Sequence, residues 1–164
     1  VAEQRESLSW SDFGVAVNDL AHQVVNSGFE PDVILSIARG GLALGMGLGY
    51  ALDVKNLSAV NVEFYTGIDE RLPVPIMLPP TPDVVDLDGL KVLIADDIAD
   101  TGLTLQHVYE FISGHVSEAR TAVVFEKPRS VVKPDYVWKE TDLWVDFAWS
   151  AEGPLVNRNG GLAH

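Results

Sequence analysis

The sequence predicts an α/β protein with a mainly parallel central sheet flanked by helices. Three observations carry that expectation. Short apolar runs bounded by turn residues, such as Val33–Ile37 and Lys91–Ala95, read as strands buried on both faces. They alternate with stretches of helical periodicity, the pattern of strand–helix–strand units. A cluster of Asp, Gly and Thr follows directly on one of those runs, where open α/β sheets hold their ligands.

The elements follow in order. Ser9 or Ser11 caps a first helix, whose apolar Phe13, Val17, Leu20 and Val24 recur at spacings of 3 and 4. Gly28 is its expected stop. Pro31-Asp32 leads into the strand Val33–Ile37, and Arg39-Gly40-Gly41 breaks it. A Gly-rich helix runs from Leu42 to Leu52. Its glycines at 45, 47 and 49 lower helix propensity but allow close packing against a sheet. Leu57 to Tyr65 reads as a strand. From Thr66 to Gly89 the pattern dissolves among Pro73, Pro75, Pro79, Pro80 and Pro82; so long a gap predicts a flexible lid over 66–89. Lys91–Ala95 is the next strand, Leu103 to His115 a helix with Leu105, Val108, Tyr109 and Ile112 on one face, and Ala119 to Phe125 another strand. Tyr136-Val137-Trp138 and Leu143 to Phe147 are short strand candidates. The tail 152–164 is polar and Gly-rich, and is expected to be loosely held.

The bulk numbers bound the function. A chain of 164 residues favours one domain, 1–164. With 47% hydrophobic and 21% charged residues, a disordered reading fails. No apolar run is long enough to span a membrane, and residues 1–15 show no signal-peptide pattern. The absence of cysteine excludes disulfides and thiolate metal sites and fits a cytoplasmic protein. A net charge of −13 argues against nucleic acid as a partner, which needs clustered cations. An acidic protein can still hold an anion with backbone N–H groups, a helix N-terminus and a bound metal ion.

The run Asp96-Asp97-Ile98-Ala99-Asp100-Thr101-Gly102-Leu103-Thr104 has the parts for that. Adjacent carboxylates accept hydrogen bonds from a vicinal diol and suit Mg²⁺, a hard cation. The amides and hydroxyls from Thr101 to Thr104 can cradle a phosphate. Such aspartates can also be plain solvated loop residues or helix caps. Other acidic motifs fit less well. The Asp-Asp-x-x-Asp of prenyl synthases lies on a helix, whereas here a strand precedes it and Gly102 interrupts it. Haloacid-dehalogenase phosphatases need Asp-x-Asp. In receiver domains the acidic pair comes earlier in the chain. No Gly-Lys-Ser/Thr of a P-loop occurs.

Residues Val92 to Leu105 resemble the signature of type I phosphoribosyltransferases, nearly completely over 14 positions. The resemblance implies that fold, with a small hood from about 127–150. It implies that Asp96 and Asp97 hold the ribose hydroxyls of 5-phosphoribosyl 1-pyrophosphate (PRPP) and help place Mg²⁺. Asp100 then lies near the base as the catalytic acid or base, and Ala99 to Thr104 belong to the PRPP site. Ile34 to Leu42 is similar to the family's pyrophosphate loop, in which Arg39, Gly40 and Gly41 bind PRPP. A cis peptide at Ala38–Arg39 is expected there.

Phe125-Glu126-Lys127-Pro128 and Leu143 to Trp149 resemble the 6-oxopurine branch, closest to its archaeal-type members. That implies base contacts from Lys127, from Trp144 by stacking, and from the Val145 backbone. Alternatively, Trp144 is a core aromatic and Lys127 a surface residue. Ser150 stands where bacterial enzymes carry Asp, and Glu63-Phe64-Tyr65-Thr66-Gly67 departs from the usual Ser-Tyr pair. The choice among hypoxanthine, xanthine and guanine therefore stays open. The resemblance covers about residues 10–150 and implies transfer of phosphoribosyl from PRPP to a purine base, giving a nucleoside monophosphate and pyrophosphate. A homodimer or higher homo-oligomer is expected by analogy. The alternatives are an enzyme for another base and a non-catalytic PRPP-sensing regulator, which usually adds a nucleic-acid-binding part.

Overall fold

The protein is described here from a computed structural model, which describes residues 4–65, 74–78 and 82–156. Its main sheet contains β2 (Val33–Ala38), β3 (Leu57–Tyr65), β4 (Val74–Leu78), β5 (Lys91–Ala99), β6 (Glu118–Glu126) and β7 (Tyr136–Glu140), following a short β1 (Arg5–Leu8). The spatial order is β4-β3-β2-β5-β6-β7. All neighbours run parallel except β4, which pairs antiparallel with β3. The expected mainly parallel sheet is present.

Helices α1 (Trp10–Asn26) and α2 (Gly40–Ala51) cover one face, and α3 (Leu103–Ser113) the other. Strand alternation assigns the core residues: Ile34 and Leu93 pack toward α1 and α2, while Val33, Leu35, Val92 and Ile94 pack toward α3. Of the two candidate caps, Ser9 is used. Its hydroxyl accepts from the Asp12 amide at 3.1 Å, and Asp12 answers at the Ser9 amide, a capping box. Gly28, at φ +73°, follows the helix end.

The glycines of α2 do two jobs. A Cβ at Gly45 would sit 1.8 Å from Ser36 Oγ, so this glycine brings the helix onto β2. Gly47 instead faces Val17 of α1, so only part of the stripe serves the sheet.

Three expectations are corrected. The segment 66–89 is not patternless where it is described: β4 forms an edge strand, on which Pro75 is tolerated, and a 3₁₀ turn at Val84–Leu87 buries Leu87. The remainder of that expected lid, 66–73 and 79–81, lies outside the described residues, as do Thr66-Gly67 of the 63–67 segment and residues 157–164 of the tail. The hood is smaller at one end and larger at the other than expected. Tyr136–Glu140 belongs to the main sheet, because Tyr136 is buried and its hydroxyl meets Ser27 Oγ at 2.6 Å. The hood strand β8 (Trp144–Phe147) pairs in parallel with the N-terminal β1, which periodicity did not reveal. Arg5–Asp146 at 3.0 Å and Lys139–Glu6 at 2.7 Å flank that pair. Trp149 stacks on Phe147 at 5.0 Å and meets Phe13 edge-on at 5.3 Å, fastening the hood to α1. Third, β5 continues through the acidic residues to Ala99, so Asp96 and Asp97 are strand residues.

Candidate active site

Strand order reverses between β2 and β5: the chain proceeds outward from β2 to β3, then returns to place β5 on the other side of β2. A crevice at the carboxyl ends of such strands is the usual ligand position. The two motifs, 55 residues apart in sequence, meet there. A Cβ on Gly40 would lie 1.7 Å from Asp97 Oδ2, and one on Gly41 would lie 2.4 Å from the Ala95 carbonyl oxygen. Only glycine at these positions lets the start of α2 close on β5. Ala38–Arg39 is a cis peptide, as expected. The Arg39 side chain is exposed and has no ion-pair partner among the described residues.

Asp96 is buried, and its Oδ1 accepts the Asp97 amide at 2.8 Å. Burial, then repulsion from Asp97, holds its carboxyl well above the usual carboxylate range. Burial also raises Asp97. Two neighbouring carboxyls that resist ionisation form a site that a divalent cation or a pair of hydroxyl donors would relieve. No group of three or more metal-ligating side chains occurs among the described residues. Two carboxylates nonetheless fit Mg²⁺, which keeps several waters and commonly takes its other oxygens from substrate phosphates.

Beyond β5, Asp100 and Thr101 turn into α3. Gly102 caps that helix at φ +81°, where a side chain would be strained and would press on Ser130 Oγ at 2.5 Å. Residues 96–105 line an open cleft of about 440 Å³. The whole acidic run therefore faces one space, including Ala99, Thr101, Leu103 and Thr104.

The expected base residues stand apart from that lining. Lys127 is buried, with its amide donating to the Ala99 carbonyl at 2.9 Å and its Nζ to the Leu143 carbonyl. It is thus no surface lysine, and it ties the cleft to the hood. Trp144 is 65% exposed, so it is no core aromatic. Val145 beside it is buried in β8 opposite Glu6. Ser150 is exposed and donates its amide to the Phe147 carbonyl at 2.9 Å.

One site neighbour escaped the sequence reading. Arg129 Nε and Nη2 donate to Asp100 Oδ1 at 2.7 and 2.5 Å. The signal available for it was the Lys127-Pro128-Arg129-Ser130 turn directly after a strand.

Comparison with known proteins gives the same result as the geometry. A xanthine-guanine phosphoribosyltransferase from Chromohalobacter salexigens is 30% identical, over 89% of this chain and 84% of the relative. The enzyme of that name from Ruegeria sp. is 28% identical, over 87% and 83% of the two chains. The crystal structure of a purine phosphoribosyltransferase from Pyrococcus horikoshii superposes with a TM-score of 0.82 and 35% identity, covering 94% of this chain and 99% of that one. Residues 4–156 match the phosphoribosyl transferase domain, and the chain belongs to that family.

Proposed function

We propose that this protein transfers the phosphoribosyl group of PRPP to a 6-oxopurine base, releasing pyrophosphate and forming a nucleoside monophosphate. The observation that carries the reading is the Asp96–Asp97 pair, Asp96 buried and Asp97 half-buried, set against Gly40 at the point where strand order reverses. The purine relatives, at 28–35% identity over most of the chain, support the choice of acceptor.

Asp96 and Asp97 would accept the ribose hydroxyls and hold Mg²⁺, which when bound neutralises charge on the phosphate oxygens. Thr101 to Thr104, at the start of α3, would take the 5-phosphate on amides and hydroxyls. Arg39 and the backbone of Gly40 and Gly41 would bind the pyrophosphate. As its bond to the ribose carbon breaks, negative charge grows on its oxygens, and donors already in place stabilise that change. The purine ring nitrogen forms the new bond to the same carbon. The purine gives up one proton, which Asp100 would accept. Lys127 would offer its ammonium to the purine 6-oxo group, which accepts a hydrogen bond that an amino group cannot, and Trp144 its exposed face for stacking. A cytoplasmic, homo-oligomeric enzyme is part of the same reading.

The test is PRPP-dependent pyrophosphate release with hypoxanthine, xanthine, guanine, adenine and pyrimidines, each with and without Mg²⁺. Turnover confined to one or more 6-oxopurines and to Mg²⁺ is the expected result. Turnover of adenine or a pyrimidine alone would reject the acceptor, and no pyrophosphate release with any base would reject the reaction. Asp100→Ala should lower kcat by roughly 10²–10⁴-fold if Asp100 takes the proton.

A further inference from the structure

We propose that Arg129 is a positioning residue for Asp100, holding one carboxylate oxygen so that the other is presented to the base. The inference rests on the reading of Asp100 as the proton acceptor.

The local sequence builds the arrangement. The Ser130 amide donates to the Lys127 carbonyl at 3.0 Å, closing a four-residue turn. Pro128 occupies its second position, where a fixed φ favours the turn. Arg129 takes the third position and is carried outward. Two backbone bonds then fix the turn to the acidic run: Lys127 N–H to the Ala99 carbonyl, and Val131 N–H to the Thr101 carbonyl, both at 2.9 Å. These bonds bracket Asp100 in sequence. Gly102 packs against Ser130 Oγ and the amides of Val131 and Val132, so no side chain separates the two segments. The base of the Arg129 side chain is therefore located relative to Asp100 by main-chain bonds.

Both Arg129 donors land on Oδ1. Among the described residues they are the hydrogen bonds that Asp100 makes, and Oδ2 is left for a ligand. A catalytic base oriented by a third group is a recurrent arrangement. Here the orienting group is a cation whose two donors fix one carboxylate oxygen. The pair is solvent-exposed, with side chains 67% and 46% accessible. Exposed ion pairs add little to stability, so an orienting role accounts for this one better than a scaffolding role.

The test is a double-mutant cycle on the full chain, using PRPP and whichever of hypoxanthine, xanthine or guanine turns over fastest. Arg129→Ala should lower kcat about 10–100-fold while the PRPP KM moves less than about 3-fold. Arg129→Lys should recover part of that loss, because one ammonium replaces a two-donor fork. In an Asp100→Ala background, adding Arg129→Ala should change kcat less than about 2-fold. The thermal midpoint of each variant should stay within about 2 °C of the parent. An unchanged kcat in Arg129→Ala would overturn the inference. So would a tenfold or larger rise in PRPP KM at constant kcat, which would make Arg129 a PRPP contact. A full loss on adding Arg129→Ala to Asp100→Ala would also overturn the inference, because Arg129 would then act without Asp100. Unchanged turnover in Asp100→Ala itself would remove the reading on which the inference stands.

Discussion

Residues 96–105 build their part of the site from consecutive positions, while the residues assigned to the base come from separate segments. In the first region a single strand end and helix start fix every group, and among the described residues the cleft is lined by that run. In the second, Lys127 follows β6, Trp144 and Val145 lie on β8, and β8 is itself held by the N-terminal β1 and the Trp149–Phe147 stack. Burial differs in the same sense. Asp96 is 8% exposed and Trp144 is 65% exposed. The proposed donor side is built on the core of the sheet. The proposed acceptor side depends on how a small peripheral sheet docks. Changes to the first should therefore act on chemistry, and changes to the second on which base is chosen.

The sharpest way to break this contrast is Asp97→Asn. It keeps the side-chain shape above Gly40 and removes a negative charge from the pair. Loss of kcat/KM for PRPP should be roughly 10²–10³-fold, the size expected when one electrostatic partner of the reacting group is removed. The loss should be equal for every base. A loss that varied with the base would mean that donor and acceptor sides are not separable.

Lys127→Ala should do the opposite. Turnover of 6-oxopurines should fall by about 10–100-fold, and any residual turnover of adenine should change little, because adenine lacks the oxygen that an ammonium binds. Equal losses would show that Lys127 acts through the Ala99 and Leu143 bonds rather than on the base. Trp144→Ala is a gentler probe. Removing one stacking face should raise the base KM by about 10-fold and leave the melting temperature unchanged, since little of this side chain is buried. A marked fall in stability would place Trp144 in the hood's packing.

The same division explains what was readable in advance. Val92 to Leu105 could be read because its chemistry and its spacing are local: strand, carboxylates, turn glycine and helix follow one another in sequence. β2 and most of β6 could be read because a strand buried on both faces is continuously apolar. Arg5–Leu8 could not. It alternates weakly, and its pairing with Trp144–Phe147 is a contact between chain ends that no short window contains. β4 was hidden by Pro75, which an edge strand tolerates and an interior strand does not. Arg129 was hidden for a third reason. Its partner is 29 residues earlier, and only the parallel pairing of β5 with β6 brings the two strand ends together.

The smallest expected effect concerns stability, and it tests whether the donor side is strained without its ligands. Burial and Asp97 raise the native Asp96 carboxyl well above its ordinary value, whereas in the unfolded chain it titrates normally, near pH 3.9. Between those two values the native state binds a proton that the unfolded state does not. Stability contributed by this group therefore falls as pH rises through the window, and is greatest at its acid end. In EDTA, the parent protein should gain more in melting temperature on going from pH 8 to pH 5 than Asp96→Asn does, with each kcal/mol appearing as about 2–4 °C at this chain length. Mg²⁺ with PRPP should narrow the difference at pH 8, because the ionised pair then has partners. The contrast between the two regions predicts one further outcome. Trp144→Ala should leave the whole pH profile of stability where it was, since Trp144 is exposed and is not among the residues that line the acidic cleft. A shifted profile in that variant would mean that the hood reaches into the acidic cleft and that the two regions titrate as one.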